Sequence, residues 1–289
     1  MRLVTFESAG VARVGLLRNE RVVDLAELLD EPVADMIALL AGGLDRLRTA
    51  AEAPELVDGL PLDQVRLLAP LPRPGKVIGV GRNYGAHAAE GGLEAQEKPR
   101  LFTKVPSSVI GPGAPIEKPA AVTKLDWEAE LAVVVGRRMR DVPEEDALAH
   151  VAGYTLLNDV SAREFQFDVK PPQTSFAKSM DGFCPMGPWL VTADELPDPG
   201  HLQVRCRVNG ELMQEGNTDD MIFPVPAILS YVSRYMTLEP GDVIATGTPE
   251  GVGAFRKPPV YLQVGDRVAV EIPEIGVLEN PVIERGGRT

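Results

Sequence analysis

Asp126-Trp127-Glu128-Ala129-Glu130-Leu131-Ala132-Val133-Val134-Val135, DWEAELAVVV at 126–135, sets three carboxylates at every second position and then turns apolar. A period of two is the side-chain repeat of a β-strand, so strand geometry would put Asp126, Glu128 and Glu130 on one face. The following run, Leu131 to Val135, reads as a buried strand. Packing that much negative charge on the approach to a buried strand is costly unless a cation sits among the oxygens, and a hard divalent ion is the candidate. By itself the triplet also reads as a solvated strand face. Asp159 tips the balance, because it follows the apolar run Tyr154 to Leu157, so a second strand delivers a carboxylate to its end. Two carboxylates from one strand and one from another suit magnesium, which takes oxygen ligands and keeps waters that a substrate displaces.

Outward from this segment, strands are expected at 77–80, 128–135, 153–158, 187–192, 202–208, 242–246 and 267–272, with helices near 143–149 and 224–236. Gly241-Asp242 and Gly265-Asp266 are turns leading into strands. Toward the N-terminus, short strands around 3–6, 11–17 and 22–24 precede helical periodicity from Val33 to about Ala53. The prolines of APLPRPG, 69–75, exclude helix and favour an extended crossing. The chain is therefore divided into a small N-terminal α+β domain, 1–70, and a larger domain, 71–289. Asn83 to Glu90 reads as a helix or a mobile loop, with Gly91 and Gly92 as a hinge. The fold class is mixed α/β, rich in strand.

A chain of 289 residues with formal net charge −13 argues against nucleic acid or an anionic membrane as partner, since either needs a basic face built against the protein's own field. A local basic pocket is still permitted. Cys184 and Cys206 lack any metal-binding or redox spacing and read as free buried thiols in a reducing cytosol. The N-terminus lacks a signal pattern and no apolar run approaches the ~20 residues of a membrane span, so the expected location is cytoplasmic.

KVIGVGRNYG, 76–85, imitates a dinucleotide-binding turn with one residue too many. Such a unit needs a second apolar strand ending in an acidic residue about 20 positions on. The sequence there is EAQEKPRLFTK, whose proline and basic character spoil that strand. A tight glycine turn after a strand is the better reading, and a nicotinamide-dependent oxidoreductase is set aside.

His87 and Glu90 lie three apart, so on a helix the carboxylate orients the imidazole and raises its basicity, the arrangement of a general base; an exposed polar pair is the plainer alternative. His150 and His201 have no such company and read as structural. Lys178 sits in SFAKSMDGFCPMGP, 175–188, where aromatic and small neighbours could partly desolvate its ammonium. TGTPEGVG, 246–253, can present backbone N–H groups to an anion.

Taken in order, GVGRNYGAHAAE, KPRLFTK, DWEAELAVVVG, NDVSARE, FAKSMDGFCPMGP, VNGELMQEGNTDDMIF and GDVIATGTPEGVG resemble the fumarylacetoacetate hydrolase family over about residues 75–283, with the preceding segment similar to its small N-terminal domain. The resemblance implies a mixed β-sandwich roll, a homodimer, magnesium or manganese as cofactor, and 2-oxo or 2,4-dioxo acids as substrates. By position it implies Glu128, Glu130 and Asp159 as metal ligands, His87 and Glu90 as a dyad on a lid, and Lys178 as the active-site lysine. Tyr84, Arg163, Gln166 and Thr248 match positions lining the substrate pocket. Asp126 falls outside the ligand pattern, as a supporting or a surface residue, and 169–174, VKPPQT, has no match.

The reaction expected first is hydrolytic cleavage of a C–C bond in an acylpyruvate through an enolate, with His87 activating water. Decarboxylation of oxaloacetate-like acids or keto-enol isomerisation needs the same enolate. A non-catalytic, metal-stabilised dicarboxylate-binding module is the reading of another class. Arg82, Arg100, Lys104 and Arg163 are candidate anchors for a substrate carboxylate.

Overall fold

The apolar run at 129–135 is buried on both faces. Ala129, Leu131, Val133 and Val135 enter one core cluster with Val204, Cys206, Val268 and Val270. Ala132 and Val134 enter another with Leu25, Met36, Leu40 and Leu47. A strand covered on both sides has no solvated face, which is why this sequence is continuously apolar rather than alternating.

The computed structural model describes residues 1–52, 59–90 and 96–286. It places the strand Ala129–Val135 within a twelve-stranded sheet. On one side that strand pairs antiparallel with Val151–Asn158, which in turn pairs with Cys184–Thr192. On the other it pairs with Val243–Ala245, which runs parallel to Val77–Gly81. The edge strand there is Arg100–Lys104, antiparallel to Val77–Gly81. A second sheet of five strands, in the order Glu211–Asn217, Gln203–Val208, Arg267–Ile272, Gly276–Glu284 and Ile116–Lys118, packs over the first face and closes the sandwich. The fold is thus mixed α/β and rich in strand.

The N-terminal strands extend the large sheet: Arg2–Ser8 pairs with Cys184–Thr192 and with Val11–Arg18, which pairs with Arg21–Asp24. Helices Leu25–Leu29, Met36–Gly42 and Asp45–Ala51 cover the sheet's second face. The division we draw near residue 70 therefore crosses a continuous sheet and a shared core.

Local differences from expectation have physical causes. Helical periodicity over 33–53 resolves into two helices, because Gly43 takes φ +82° after the first. The helix expected near 143–149 is a 3₁₀ run, Glu144–His150. The helix expected over 224–236 is Val225–Ser233, entered through Pro224. Arg100–Lys104 is a strand, and its antiparallel course is not the parallel crossover of a dinucleotide-binding unit. The segment 83–90 holds a short helix, Gly85–Glu90, while the pair Gly91-Gly92 read as a hinge lies outside the described residues. Both cysteines are free and buried, and burial pushes the Cys184 thiol up to about 12. Among the described residues no helix is long and apolar enough to cross a membrane.

Candidate active site

Two neighbouring strands deliver the carboxylates. Ala129 is opposite Asn158 and Glu130 opposite Leu157, so Asp159, one residue past the end of Val151–Asn158, arrives beside Glu128 and Glu130. The approach is fixed by two hydrogen bonds: the Asp159 N–H donates to the Glu128 carbonyl at 2.9 Å, and the Glu128 N–H donates to the side-chain Oδ1 of Asn158 at 3.0 Å. Oxygens of Glu128, Glu130 and Asp159 lie within 4.8 Å of one another, and all three residues are buried.

The alternation at 126–130 is not one strand. Leu125–Asp126 pairs with Ser161–Ala162, and Trp127-Glu128 separates it from Ala129–Val135. Asp126 therefore leaves the cluster. It is fully buried, not a surface residue, and accepts from Arg163 Nε at 2.8 Å and from the backbone N–H groups of Trp127, Gly253 and Ala254.

Three cations compensate part of this charge. Lys178 Nζ donates to Glu128 Oε2 and Ser161 Oγ, each at 2.8 Å, and to Asp159 Oδ2, and it lies over the Phe102 ring. Lys104 Nζ holds the other Asp159 oxygen at 2.5 Å. Lys104, expected as a substrate anchor, is thus buried against the protein's own carboxylate. Arg163 spans Asp126, Glu128 and Gln166 through Nε and Nη1, while its Nη2 is buried without a partner. Burial alone would raise the Glu128 pKa, but Lys178 and Arg163 reverse this and hold it well below the usual carboxylate range.

Glu130 is the uncompensated member. Its Oε2 accepts the Gly247 N–H at 2.8 Å, and it has no cationic partner among the described residues. Burial, then Asp159 and Glu128, push its pKa well above the ordinary value. Gly247 supplies that N–H from φ +105°, where an added Cβ would stand 2.8 Å from Asn83 Cβ. A buried, oxygen-only cluster with one carboxylate short of positive charge fits a hard divalent cation.

The helix Gly85–Glu90 closes the site from the other side. His87 Nδ1 is 3.6 Å from Glu90 Oε2, an ion-pair distance longer than a hydrogen bond, and its ring packs at 5.6 Å from Phe255. Both Glu90 oxygens accept from the Gly251 N–H, at 3.1 and 3.3 Å, so the glycine tract tethers the helix instead of meeting an anion from outside.

A cavity of about 370 Å³ lies between these groups. His87, Glu128, Glu130, Arg163, Gln166, Lys178 and Thr248 line it. Asp159 stands behind Lys178, and Glu90 behind His87. Tyr84 does not line the cavity: its ring is core, its hydroxyl is buried and unbonded, and its backbone forms an isolated β-bridge with Met221. Thr248 lines it with a committed hydroxyl, donating to Ala129 O and accepting from Gln214 Nε2. His150 and His201 are elsewhere. Pro172 and Thr174 give the unmatched 169–174 segment a place on the wall, beside Phe102, Phe167 and Phe255. Nothing local in the sequence singles out those aromatic walls.

A β-sandwich carrying a buried carboxylate cluster and a histidine across one cavity is an enzyme architecture, and the comparisons specify it. The model for the fumarylacetoacetate (FAA) hydrolase C-terminal domain matches residues 76–283. The chain belongs to the fumarylacetoacetate hydrolase family and is an enzyme. It is 43% identical to the oxaloacetate tautomerase fahd2, mitochondrial, of Xenopus laevis, over 98% of this chain and 90% of that protein. Among solved structures it resembles a fumarylacetoacetate hydrolase of Exiguobacterium antarcticum, with TM-score 0.86, 45% identity and coverage of 99% of this chain and 100% of the other. It also resembles the maleylpyruvate hydrolase of Sphingobium sp. SYK-6 in complex with manganese(II) and pyruvate, with TM-score 0.82, 35% identity and coverage of 99% and 100%.

Proposed function

We propose that this enzyme moves the C3 proton of a 2-oxo acid, interconverting keto and enol forms of oxaloacetate-type substrates. The observation that carries this is that one cavity presents Glu128 and Glu130 of the carboxylate cluster, Arg163 and His87. The likeness to an oxaloacetate tautomerase over nearly the whole chain supports it.

The roles follow from chemistry at named atoms. Arg163 Nη2 and the free amide of Gln166 donate to the substrate's 1-carboxylate. Lys178 places positive charge beside the 2-oxo oxygen, where negative charge develops. Glu128, Glu130 and Asp159 would hold magnesium or manganese, which supplies Lewis acidity toward that oxygen. With Nδ1 on the Glu90 side, His87 is left with Nε2 to take and return the C3 proton, while the Glu90 carboxylate steadies the imidazolium. Phe102, Phe167 and Phe255 keep the cavity wall apolar. A cytosolic homodimer, suggested by the resemblance and the free thiols, belongs to the same proposal, and sedimentation tests the dimer.

A second reading, hydrolysis of the C–C bond of an acylpyruvate with His87 activating water, draws support from the likeness to a maleylpyruvate hydrolase solved with pyruvate. One experiment separates the two. Oxaloacetate and acetylpyruvate are supplied with magnesium or manganese in deuterated water, C3 exchange is followed by NMR, and released acids are identified. Rapid exchange without new acids supports enolisation, stoichiometric pyruvate plus acetate supports hydrolysis, and neither outcome with any acid sinks both.

A further inference from the structure

Four cationic side chains line the cavity, and they fall into two kinds. Arg163 and Lys178 are held by Asp126, Glu128 and Asp159. Arg82 and Arg100 have no acidic partner among the described residues, in a chain where 42 acidic residues outnumber 29 basic ones. Strand register brings these two together: Gly81 pairs with Arg100 across the antiparallel strands, and Arg82 follows Gly81. Arg82 lies one residue past the strand end, next to the position that faces Arg100, and the two like charges repel, so the fold gains nothing from this placement. Arg82 is also held in the left-handed region at φ +60°, which costs energy for a residue with a Cβ. Burial and then Arg100 lower the Arg82 pKa, as an unpartnered guanidinium beside another should show. A carboxylate between them would offset repulsion and burial together, and paired guanidinium forks suit its planar geometry.

We propose that Arg82 and Arg100 clamp the second carboxylate of a diacid substrate, selecting 2-oxo diacids over 2-oxo monoacids. The assignment of the first carboxylate to Arg163 and Gln166 rests on the function proposed above. Arg100 lies on the edge strand and is exposed, so its replacement should leave folding intact.

The test compares oxaloacetate with 2-oxobutanoate, which replaces the far carboxylate by a methyl group, by calorimetry on magnesium-loaded protein. Wild type should bind the diacid at least about tenfold more tightly, the least expected for charge-assisted hydrogen bonds. R100Q and R82Q should remove most of that preference, and R100K should restore part of it. Equal losses for both acids in R100Q would assign Arg100 a structural role and overturn the clamp. A wild type without preference would overturn it too. If the arginine-dependent preference is present but no C3 exchange and no acid products are seen, the clamp stands and the proposed reaction falls.

Discussion

The two ends of the cavity hold charge in opposite ways. At the carboxylate end, Lys178, Lys104 and most of Arg163 are buried and already committed to Glu128, Asp159 and Asp126. At the other end, Arg82 and Arg100 sit on an edge strand and the turn beside it without acidic partners among the described residues, and His87 rides on a six-residue helix. Committed charge fixes geometry, whereas uncommitted charge waits for a ligand. Glu130 is the exception at the first end, since it is short of one cation there.

The largest effect should come from breaking that exception. Glu130→Ala removes a proposed metal ligand, and turnover should fall below detection with magnesium affinity lost, measured by calorimetry. Glu130→Gln sharpens the contrast, because the amide spares the metal-free protein the cost of burying the Glu130 charge or taking up a proton there. Metal-free Glu130→Gln should therefore melt a few degrees above metal-free wild type, about the shift that ~1 kcal/mol gives in a chain this size. A lower melting point would mean that the Glu130 charge is compensated after all.

On the opposite wall, His87→Ala should lower kcat by roughly 10²–10⁴-fold, the range of a general base, with magnesium affinity unchanged. A loss under tenfold would move proton transfer to another group.

Asp126→Ala probes the committed end through structure. The substitution leaves Arg163 with Glu128 as its one remaining carboxylate and frees the N–H groups of Gly253 and Ala254. Each buried N–H left without its acceptor costs about 1–3 kcal/mol, which chemical denaturation would register. Stability within ~1 kcal/mol of wild type would show that solvent reaches these N–H groups.

How far these features are legible in the sequence depends on how local they are. The buried strand at 129–135 and the carboxylates Glu128, Glu130 and Asp159 could be read because each lies in or beside an apolar run. The fate of Asp126 could not, since the strand break at Trp127-Glu128 shows only in the pairing of Leu125–Asp126 with Ser161–Ala162. Arg82, Arg100, Lys104 and Arg163 look alike as anchors until long-range register sorts them into partnered and unpartnered. The polar sequence of the strand Glu211–Asn217 masks it, although Asn209-Gly210, at φ +52° and +83°, is a hairpin signal beside it. Gly276–Glu284 is hidden by Pro281 within it.

The smallest effect concerns the tether between the two ends. Glu90 joins the helix of His87 to the glycine tract through Gly251. Burial raises its pKa, but His87 and the Gly251 N–H outweigh this and leave it below the ordinary carboxylate value. A carboxylate whose pKa is depressed on docking favours the docked helix above its undocked pKa, and that advantage fades as pH falls through the docked value. Amide exchange at 85–90, corrected for its intrinsic pH dependence, should thus accelerate relative to the core as pH drops below about 4.5, the ordinary carboxylate value. Glu90→Gln should flatten that profile. The change should be modest, because Glu90 is partly exposed and solvent screens it. Identical profiles for wild type and Glu90→Gln would show that packing of His87 on Phe255, and not the carboxylate, holds the helix down.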